Sequence, residues 1–323
     1  MRFLRVGKRA MTEQEAIRTT GLTKTFGSLK AVDGIDLVVH RGEMFALVGP
    51  DGAGKTTTVR MLCGIMTPTS GSATILGHDI VREKPQVKRR IGYLSQRFSL
   101  YGDLSVDENI EFFAEVHDVS NFSERREELL AFTRLTPFRE RLSDRLSGGM
   151  KQKLALACTL IHTPDLLLLD EPTTGVDPLS RRDFWVILHS LVARGMTIIL
   201  TTPYLDEAER CSRVAMMNHG GILQTGTPEM LRGEMNGEVI ELVCNPIRLA
   251  SRALTQSGDF LAVQTFGDRI NLIVRDAESG LKRARDILLT SGVEVTNTRQ
   301  IKPSLENVFI ALLTRDGTRE VPS

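Results

Sequence analysis

The sequence has few cysteines. Cys63, Cys158, Cys211 and Cys244 stand far apart, form no CxxC pair, and have no histidine at metal-ligand spacing. This pattern argues against a disulfide scaffold and against a structural zinc site, and it favours a reducing compartment. We therefore expect the four side chains to lie in the core as small apolar groups.

The sequence also has no long apolar run and almost no net charge. Its apolar stretches, such as 166–169 and 214–217, are far shorter than the roughly 18 residues that suggest a membrane span. The basic opening MRFLRVGKRA lacks the apolar segment of a secretory signal, so we interpret 1–16 as a flexible basic tail. A net charge of +1 is too small to draw the whole chain onto nucleic acid, and we expect no nucleic-acid partner.

What the sequence does contain is an alternation of short β-rich runs and longer helical runs from Ile17 to about residue 227, which is typical of an α/β fold. The runs Ile35–Val39 and Met44–Val48, joined by Arg41-Gly42, predict a hairpin. Ser105 and Glu108 form a capping box that opens a mostly helical stretch reaching about residue 161. Such a stretch between parallel strands predicts an inserted α-helical subdomain.

The pattern changes after about residue 237. The expected elements there are a strand (239–243), a helix (247–256), two strands (260–265 and 271–274), a helix (280–289) and a strand (293–298). This βαββαβ order is that of a ferredoxin-like α+β domain. We therefore predict a domain over 17–236, with its helical subdomain at about 98–165, and a small C-terminal domain over 237–323.

A phosphate loop is predicted at 49–57. GPDGAGKTT matches G-x-x-x-x-G-K-[ST] and lies between an apolar strand and a helix expected from Lys55 to Leu62. Backbone N–H groups of such a loop surround phosphates, Lys55 should reach the β- and γ-phosphates, and the Thr56 hydroxyl should ligate Mg²⁺. The predicted nucleotide-binding residues of the loop are Gly49, Pro50, Asp51, Gly52, Ala53, Gly54, Lys55, Thr56 and Thr57.

Two further motifs carry charge or anion-binding groups. LLLLDE at 166–171 is an apolar strand that ends in Asp170, expected to face the metal, and Glu171, expected to activate water. LSGGM at 146–150 places Ser147 as an N-cap and exposes the backbone of Gly148 and Gly149 at a helix start. That second segment fits either a second anion-binding site or an ordinary capped helix.

Over about residues 18–226 these motifs, in this order, resemble those of ATP-binding subunits of ABC transporters. LSGGM resembles the signature LSGGQ, with Met150 in place of its last residue. The resemblance implies a P-loop ATPase in which two identical or related subunits enclose two Mg-ATP, with Ser147 and Gly149 touching the ATP held by the partner. Glu171, Lys55 and Gln96 would then form the catalytic group.

Three more residues match the family by position. Phe26 matches the aromatic residue that stacks on adenine, and Asp177 in TTGVDP matches the D-loop aspartate. Gln96 in GYLSQ matches the loop that couples nucleotide to the membrane subunit, which adds it to the Mg²⁺ ligands Thr56 and Asp170. Each residue also fits a plainer interpretation: a core phenylalanine, a solvated loop glutamine, and a helix cap.

One position departs from the family. A histidine normally follows the strand after the D-loop and contacts the γ-phosphate, but TTPYLDEAER has Pro203 there. Some exporter-type members resemble this chain in having Pro-Tyr at that place, so we interpret Pro203 as a variant of an active site. A non-enzymatic nucleotide sensor is the alternative.

The C-terminal segment PSLENVFIALL resembles the small appended domain of ATPases from exporters whose permease is a separate polypeptide. This implies export of an unknown substrate, a polytopic permease as partner, and a peripheral position on the cytoplasmic face of the cell membrane. Two alternatives stay open: a C-terminal domain that only packs and dimerises, and an ABC ATPase that acts on ribosomes or DNA.

Overall fold

The computed structural model describes residues 15–96, 100–235 and 237–315. The chain forms two compact units that divide between Ile222 and Leu223, earlier than the domain boundary predicted after residue 236. As far as Gly226 the helices and strands are β1 (Glu15–Phe26), β2 (Leu29–His40), β3 (Met44–Val48), α1 (Lys55–Leu62), β4 (Ser70–Ile75), β5 (His78–Asp79), α2 (Lys84–Arg90), β6 (Ile91–Leu94), α3 (Val106–Val116), α4 (Ser123–Thr133), α5 (Gly148–Leu160), β7 (Leu166–Asp170), α6 (Pro178–Ala193), β8 (Thr197–Thr202), α7 (Leu205–Ala208), β9 (Arg213–Asn218) and β10 (Gly221–Gly226). They are followed by α8 (Pro228–Gly233), β11 (Glu238–Asn245), α9 (Ile247–Ser257), β12 (Ala262–Phe266), β13 (Arg269–Val274), α10 (Ala277–Thr290), β14 (Glu294–Ile301) and α11 (Leu305–Arg315).

The central sheet has the strand order β10-β9-β3-β8-β7-β6. The pairs β9-β3, β3-β8, β8-β7 and β7-β6 are parallel, and every residue of β3, β7 and β8 is buried. Strands buried on both faces require nearly continuous apolar runs, which is why MFALV and LLLLD have no polar alternation. The carboxyl ends of β3, β7 and β8 therefore open on one edge of the sheet, where ligands of parallel α/β sheets bind.

A second, antiparallel sheet has the order β2-β1-β4-β5. The predicted hairpin between 35–39 and 44–48 is wrong, because β2 pairs with β1 whereas β3 pairs with β8 and β9. Alternating side chains identify a strand but not its partner. The predicted tail is also too long: Glu15 pairs with His40 and Ala16 is buried, so both belong to β1. The rest of the tail lies outside the described residues.

The stretch between β6 and β7 is mainly helical, as predicted, and contains α3, α4 and α5. The capping box is confirmed: Glu108 N donates to Ser105 Oγ over 3.2 Å, and Ser105 N donates to Glu108 Oε2 over 2.7 Å. Both orphan donors at the start of α3 are thereby satisfied. The four cysteines are free and buried, as expected.

The second unit contains a four-stranded antiparallel sheet of order β12-β13-β11-β14. Its elements follow the predicted strand-helix-strand-strand-helix-strand order, and the core joins Leu254 of α9 and Leu288 of α10 to sheet residues such as Leu272. The helix α11 was not predicted; Asn307 Nδ2 on it donates to Gln264 Oε1 over 2.7 Å. Within the described ranges, no helix is long and apolar enough to cross a membrane.

Candidate functional site

The predicted phosphate loop connects β3 to α1 and is shaped by two glycines that cannot be replaced without a clash. A Cβ on Gly49 would lie 2.1 Å from Met217 O, and one on Gly54 would lie 2.3 Å from Ala31 O. Gly54 also has φ +100°, a backbone conformation that strongly favours glycine. The loop therefore packs its backbone directly against β9 and β2, and its form depends on these two positions.

Lys55, the first residue of α1, is only 4% exposed. Its Nζ donates to Gly49 O over 2.8 Å and to Pro50 O over 2.9 Å, and lies 3.7 Å from Glu171 Oε1. Burial lowers the pKa of the Lys55 ammonium, while Glu171 and Asp51 act in the opposite direction. The cation thus bridges the phosphate loop and the end of β7.

Asp170 ends β7 and is fully buried. Its Oδ1 accepts from Thr56 Oγ1 over 2.8 Å and from Thr201 Oγ1 over 2.7 Å. Its Oδ2 is buried and has no hydrogen-bond partner among the described residues. A buried carboxylate oxygen without a donor is a favourable position for a cation.

The predicted Mg²⁺ ligands fit this arrangement in part. Asp170 and Thr56 are in contact, and Mg²⁺ is commonly held by one or two carboxylates together with substrate phosphates. Across 15–96, 100–235 and 237–315, no group of three or more His, Cys, Asp or Glu could hold a metal on its own. The side-chain amide of Gln96 donates a hydrogen bond to Glu171, and the predicted contact of Gln96 with the metal stays a prediction.

Glu171 follows Asp170 in a left-handed conformation, with φ +48°. Such a φ is uncommon for a residue with a side chain and is typical of functional sites. The strained backbone is held because Glu171 N donates to Thr201 Oγ1 over 2.9 Å and to Thr201 O over 3.2 Å. The carboxylate accepts from Gln96 Nε2 over 2.9 Å and from Thr174 Oγ1 over 3.3 Å.

Sequence reasoning missed Thr201 and Thr174. Thr201 contacts both Asp170 and Glu171, and Thr174 contacts Glu171. A signal was present, because threonine pairs stand at the end of the strand TIILTT and directly after LLLLDEP. Hydroxyl groups in those places can hold carboxylates that leave a buried strand.

A second group of predicted residues lies where α5 and α6 begin. Ser147 Oγ accepts from Met150 N over 3.3 Å, and Asp177 Oδ1 accepts from Ser180 N over 3.0 Å, which confirms both as N-caps. The bond from Ser180 N is the main reason why the pKa of Asp177 lies below its usual value. A Cβ on Gly149 would lie 2.2 Å from Ser180 Cβ, so the two helix starts are in contact.

The nearest neighbours of these two helix-start glycines lie in the segment 175–180 rather than in the phosphate loop. The nearest atom to a Cβ on Gly148 would be Gly175 O at 3.9 Å, and the neighbours of Gly149 belong to Ser180. Ser147 and Gly148 are exposed. The structure therefore forms two separate groups of predicted site residues, one around Lys55 and one around Ser147.

The remaining predicted residues differ in their exposure. Phe26 is 47% exposed at the end of β1, with Lys24 Nζ 5.2 Å from its ring centre, so the core interpretation of Phe26 is wrong. Asp51 and Gly52 are exposed and Thr57 is half-buried. Pro203 directly follows Thr202, the last residue of β8.

Chemically, the first group combines a buried cation, a carboxylate oxygen without a donor among the described residues, and a second carboxylate close to the cation. Backbone N–H groups at the start of α1 add a partial positive charge. Such a set can bind a polyphosphate with a divalent cation and position a carboxylate beside it.

Comparison with known proteins agrees with this chemistry. The family described as ABC transporter matches residues 32–174. The chain is 42% identical over 316 residues to the probable multidrug ABC transporter ATP-binding protein YbhF of Escherichia coli (strain K12); this covers 95% of the chain but only 53% of YbhF. The chain thus spans about half the length of that relative.

A relative of similar length is the Nod factor export ATP-binding protein I of Rhizobium sp. (strain N33). It is 38% identical over 308 residues, which covers 93% of this chain and 98% of the relative. Among solved structures, a dimeric bacterial ABC transporter cassette aligns with a TM-score of 0.60 and 26% identity, covering 65% of this chain and 98% of the cassette.

Proposed function

Because the chain belongs to the ABC transporter family of ATP-binding proteins, we propose that it binds and hydrolyses Mg-ATP to power export through a separate membrane permease. YbhF is named for multidrug transport and the Rhizobium relative for Nod factor export. When ATP hydrolysis and transport are on separate polypeptides, the permease contacts the exported substrate, so the residues of this chain do not select it.

The observation that carries the proposal is the convergence of Lys55, Thr56, Asp170 and Glu171. Thr56 Oγ1 lies 2.8 Å from Asp170 Oδ1, and Lys55 Nζ lies 3.7 Å from Glu171 Oε1. Residues from α1 and from the end of β7 meet here although more than a hundred positions separate them. A capped helix with a glycine-rich loop would not need this pair of carboxylates.

In the proposed mechanism, Lys55 exchanges its bonds with loop carbonyls for bonds with the β- and γ-phosphates. Asp170 and Thr56 would hold Mg²⁺, which would neutralise charge on the phosphates when bound. Glu171 orients the attacking water and accepts its proton, and Gln96 and Thr174 hold the carboxylate in place meanwhile. Phe26, exposed at the end of β1, offers a ring for the adenine.

The second group of site residues supports dimerisation. Ser147 and Gly149 lie apart from the phosphate loop of their own chain, which suits a role on the ATP of a partner subunit. We propose that two such subunits, identical or related, bind a polytopic permease at the cytoplasmic face of the membrane. The chain should sediment with membranes only when the permease is co-expressed; association of the chain alone at physiological salt would contradict this.

Two substitutions test the ATPase proposal. Glu171→Gln should bind ATP and accumulate as a nucleotide-bound dimer, because only proton acceptance is lost. Lys55→Ala should weaken ATP binding, because a charge-assisted bond to phosphate is removed. Steady-state turnover and equilibrium ATP binding separate the two defects, and equal turnover in Glu171→Gln and wild type would overturn the assignment.

A nucleotide sensor is the second candidate, and Pro203 is the observation that favours it. Without an imidazole at that place, ATP binding could drive dimer closure without hydrolysis. The same assay decides: a wild-type chain that binds ATP but shows no turnover above Glu171→Gln, even with the permease present, would be a sensor.

A further inference from the structure

Beside the site, the side chain of Glu207 in α7 forms the centre of a buried polar cluster. Glu207 is 1% exposed, although α7 itself has only four residues. Its Oε2 accepts from Thr202 Oγ1 over 2.6 Å, and its Oε1 accepts from Arg181 Nε over 2.5 Å and from Thr173 Oγ1. A buried carboxylate is stable only when it is paired and hydrogen-bonded, and these three donors meet that need.

The three donors come from three different elements. Thr202 ends β8, Thr173 lies in the segment that follows Glu171, and Arg181 lies in the first turns of α6, shortly after its N-cap Asp177. Arg181 also lies over the ring of Tyr204, 4.7 Å from its centre. The cluster therefore connects the segment around Pro203 with the segment that carries the D-loop.

Each threonine of the cluster is the sequence neighbour of a threonine that contacts a catalytic carboxylate. Thr201 binds Asp170 and Glu171 N, whereas Thr202 binds Glu207. Successive side chains of a strand point to opposite faces, so β8 presents one hydroxyl to each group. In the same way, Thr174 binds Glu171 whereas Thr173 binds Glu207.

A displacement of Glu207 would therefore move two backbone segments, 201–202 and 173–174, whose other threonines hold Glu171. Thr202 also accepts from Tyr204 N over 3.1 Å, across Pro203. Pro203 itself supplies no side-chain donor.

We propose that Glu207 is a positioning residue for ATP hydrolysis, which holds the end of β8, the segment after Glu171 and the start of α6 in one arrangement. The inference rests on the proposed ATPase function. It assigns to Glu207 no contact with ATP; Glu207 acts through Thr202 and Thr173 on the residues that hold Glu171.

The main test compares the wild-type chain with Glu207→Gln, which keeps the volume but removes the charge and one acceptor. We expect the ATP Kd to stay within about threefold, and kcat to fall between about tenfold and a hundredfold, as misplacement by about 1 Å can cause. The kcat of Glu207→Ala, which removes the carboxyl group altogether, should be lower than that of Glu207→Gln.

Thr202→Val and Thr173→Val test the same connection from the other side, because each removes one hydroxyl that faces Glu207. Either change should lower kcat with little effect on ATP Kd. Adding Thr202→Val to Glu207→Gln should cost less than about twofold more in kcat, since coupled residues are not additive. If Glu207→Gln does not fold, the two valine variants decide.

Glu241 provides the matched control. It is a buried carboxylate in the second unit that accepts from Arg299 over 2.6 Å and from Arg269 over 3.2 Å. Glu241→Gln should lower the unfolding temperature but leave kcat at the wild-type value. If kcat falls as much in Glu241→Gln as in Glu207→Gln, the decrease comes from general destabilisation, and the proposal is overturned.

The outcomes also separate this proposal from the ATPase proposal. If wild type turns over ATP, Glu171→Gln does not, and folded Glu207→Gln has wild-type kcat, only the positioning role is wrong. The same holds if both valine variants have wild-type kcat. If wild type shows no turnover with the permease present, the ATPase proposal fails and the positioning role fails with it.

Discussion

The side-chain amide of Gln96 donates a hydrogen bond of 2.9 Å to Oε2 of Glu171. The two residues follow the neighbouring parallel strands β6 and β7, which end on the same edge of the central sheet. Glu171 is buried, whereas Gln96 is exposed. The bond thus connects the proposed catalytic base with a residue at the surface.

Replacing Gln96 should therefore affect catalysis more than ATP binding. Gln96→Ala removes a side-chain donor from the Glu171 carboxylate. We expect kcat to fall about tenfold, less than the roughly 10²–10⁴-fold that a general base contributes, because the base is misplaced and not lost. Gln96→Glu should lower kcat further, because it replaces the amide donor with a second negative charge directly beside the Glu171 carboxylate. Measured kcat and ATP Kd check this; wild-type kcat in Gln96→Glu would contradict it.

Gly148 and Gly149 allow a matched comparison at the start of α5. A Cβ on Gly149 would lie 2.2 Å from Ser180 Cβ, whereas one on Gly148 would meet nothing closer than 3.9 Å. Gly149→Ala should lower the free energy of unfolding by about 1–3 kcal/mol, because α6 would be forced away.

Gly148→Ala should leave that free energy unchanged or raise it by up to about 1 kcal/mol, because alanine favours a helix. Denaturant unfolding of both variants measures the difference. Equal stability of the two would show that α5 and α6 do not constrain each other at this point.

The stacked pair His117 and His162 predicts a dependence of stability on pH. The two ring centres lie 4.0 Å apart, and His162 Nε2 donates to Ile91 O over 3.0 Å. Burial lowers the pKa of both imidazoles below the ordinary value of 6.5, and the nearby His117 lowers that of His162 further. The folded state therefore favours the neutral rings.

The direction of the pH dependence follows from which state, folded or unfolded, binds protons first as the pH falls. As the pH falls below 6.5, the unfolded chain takes up protons at these positions before the folded chain does, so stability should be complete above that pH and decline below it. Denaturant unfolding between about pH 8 and pH 5 should show this decline, and it should be smaller in His162→Gln. His117→Phe, which keeps an aromatic ring but removes the other titrating group, should also reduce the decline; an unchanged slope in both variants would contradict the assignment.

The sequence predicted the parts of the fold that depend on local pattern. The helix from Lys55 to Leu62, the capping box at Ser105 and the element order after residue 237 were found where short-range signals indicated them. The hairpin failed because a turn at Arg41-Gly42 does not say which sheet each strand joins. Pairing of β2 with β1 and of β3 with β8 is decided by burial of whole strands, which no short window contains.

The residues of the candidate site that stand in sequence motifs were also predictable. Lys55, Asp170 and Glu171 stand in motifs whose spacing suggests their chemistry, and the structure brings them together. Threonine pairs mark the places of Thr201 and Thr174, but a pair does not say which of its hydroxyls meets a carboxylate. That choice, and the role of Glu207, depend on the face that a residue occupies and on packing between distant segments. The hydrogen bonds of Thr174 to Glu171, of Thr201 to Asp170 and of Thr202 to Glu207 follow only from the assembled structure.

Pro203 gives the last prediction, because a change there tests how the site works without the histidine. Pro203 stands between Thr202, which is bonded to Glu207, and Tyr204, whose N–H donates to Thr202 Oγ1 over 3.1 Å. Pro203→His would add a donor at the proposed γ-phosphate position, and one well-placed donor in a transition state is worth about 10²–10³ in rate. It would also release the fixed φ of proline and loosen the turn.

We therefore expect the kcat of Pro203→His to lie between the wild-type value and about ten times that value. This is well below the effect of a well-placed donor, because nothing holds the added imidazole in place. Steady-state turnover of wild type, Pro203→His and Pro203→Ala measures this, with Pro203→Ala as the control for loss of the ring alone. If Pro203→His is active while wild type equals Glu171→Gln, proline marks a degenerate site. If Pro203→Ala loses as much activity as Glu171→Gln, the turn itself, rather than a missing imidazole, is what catalysis requires at this position.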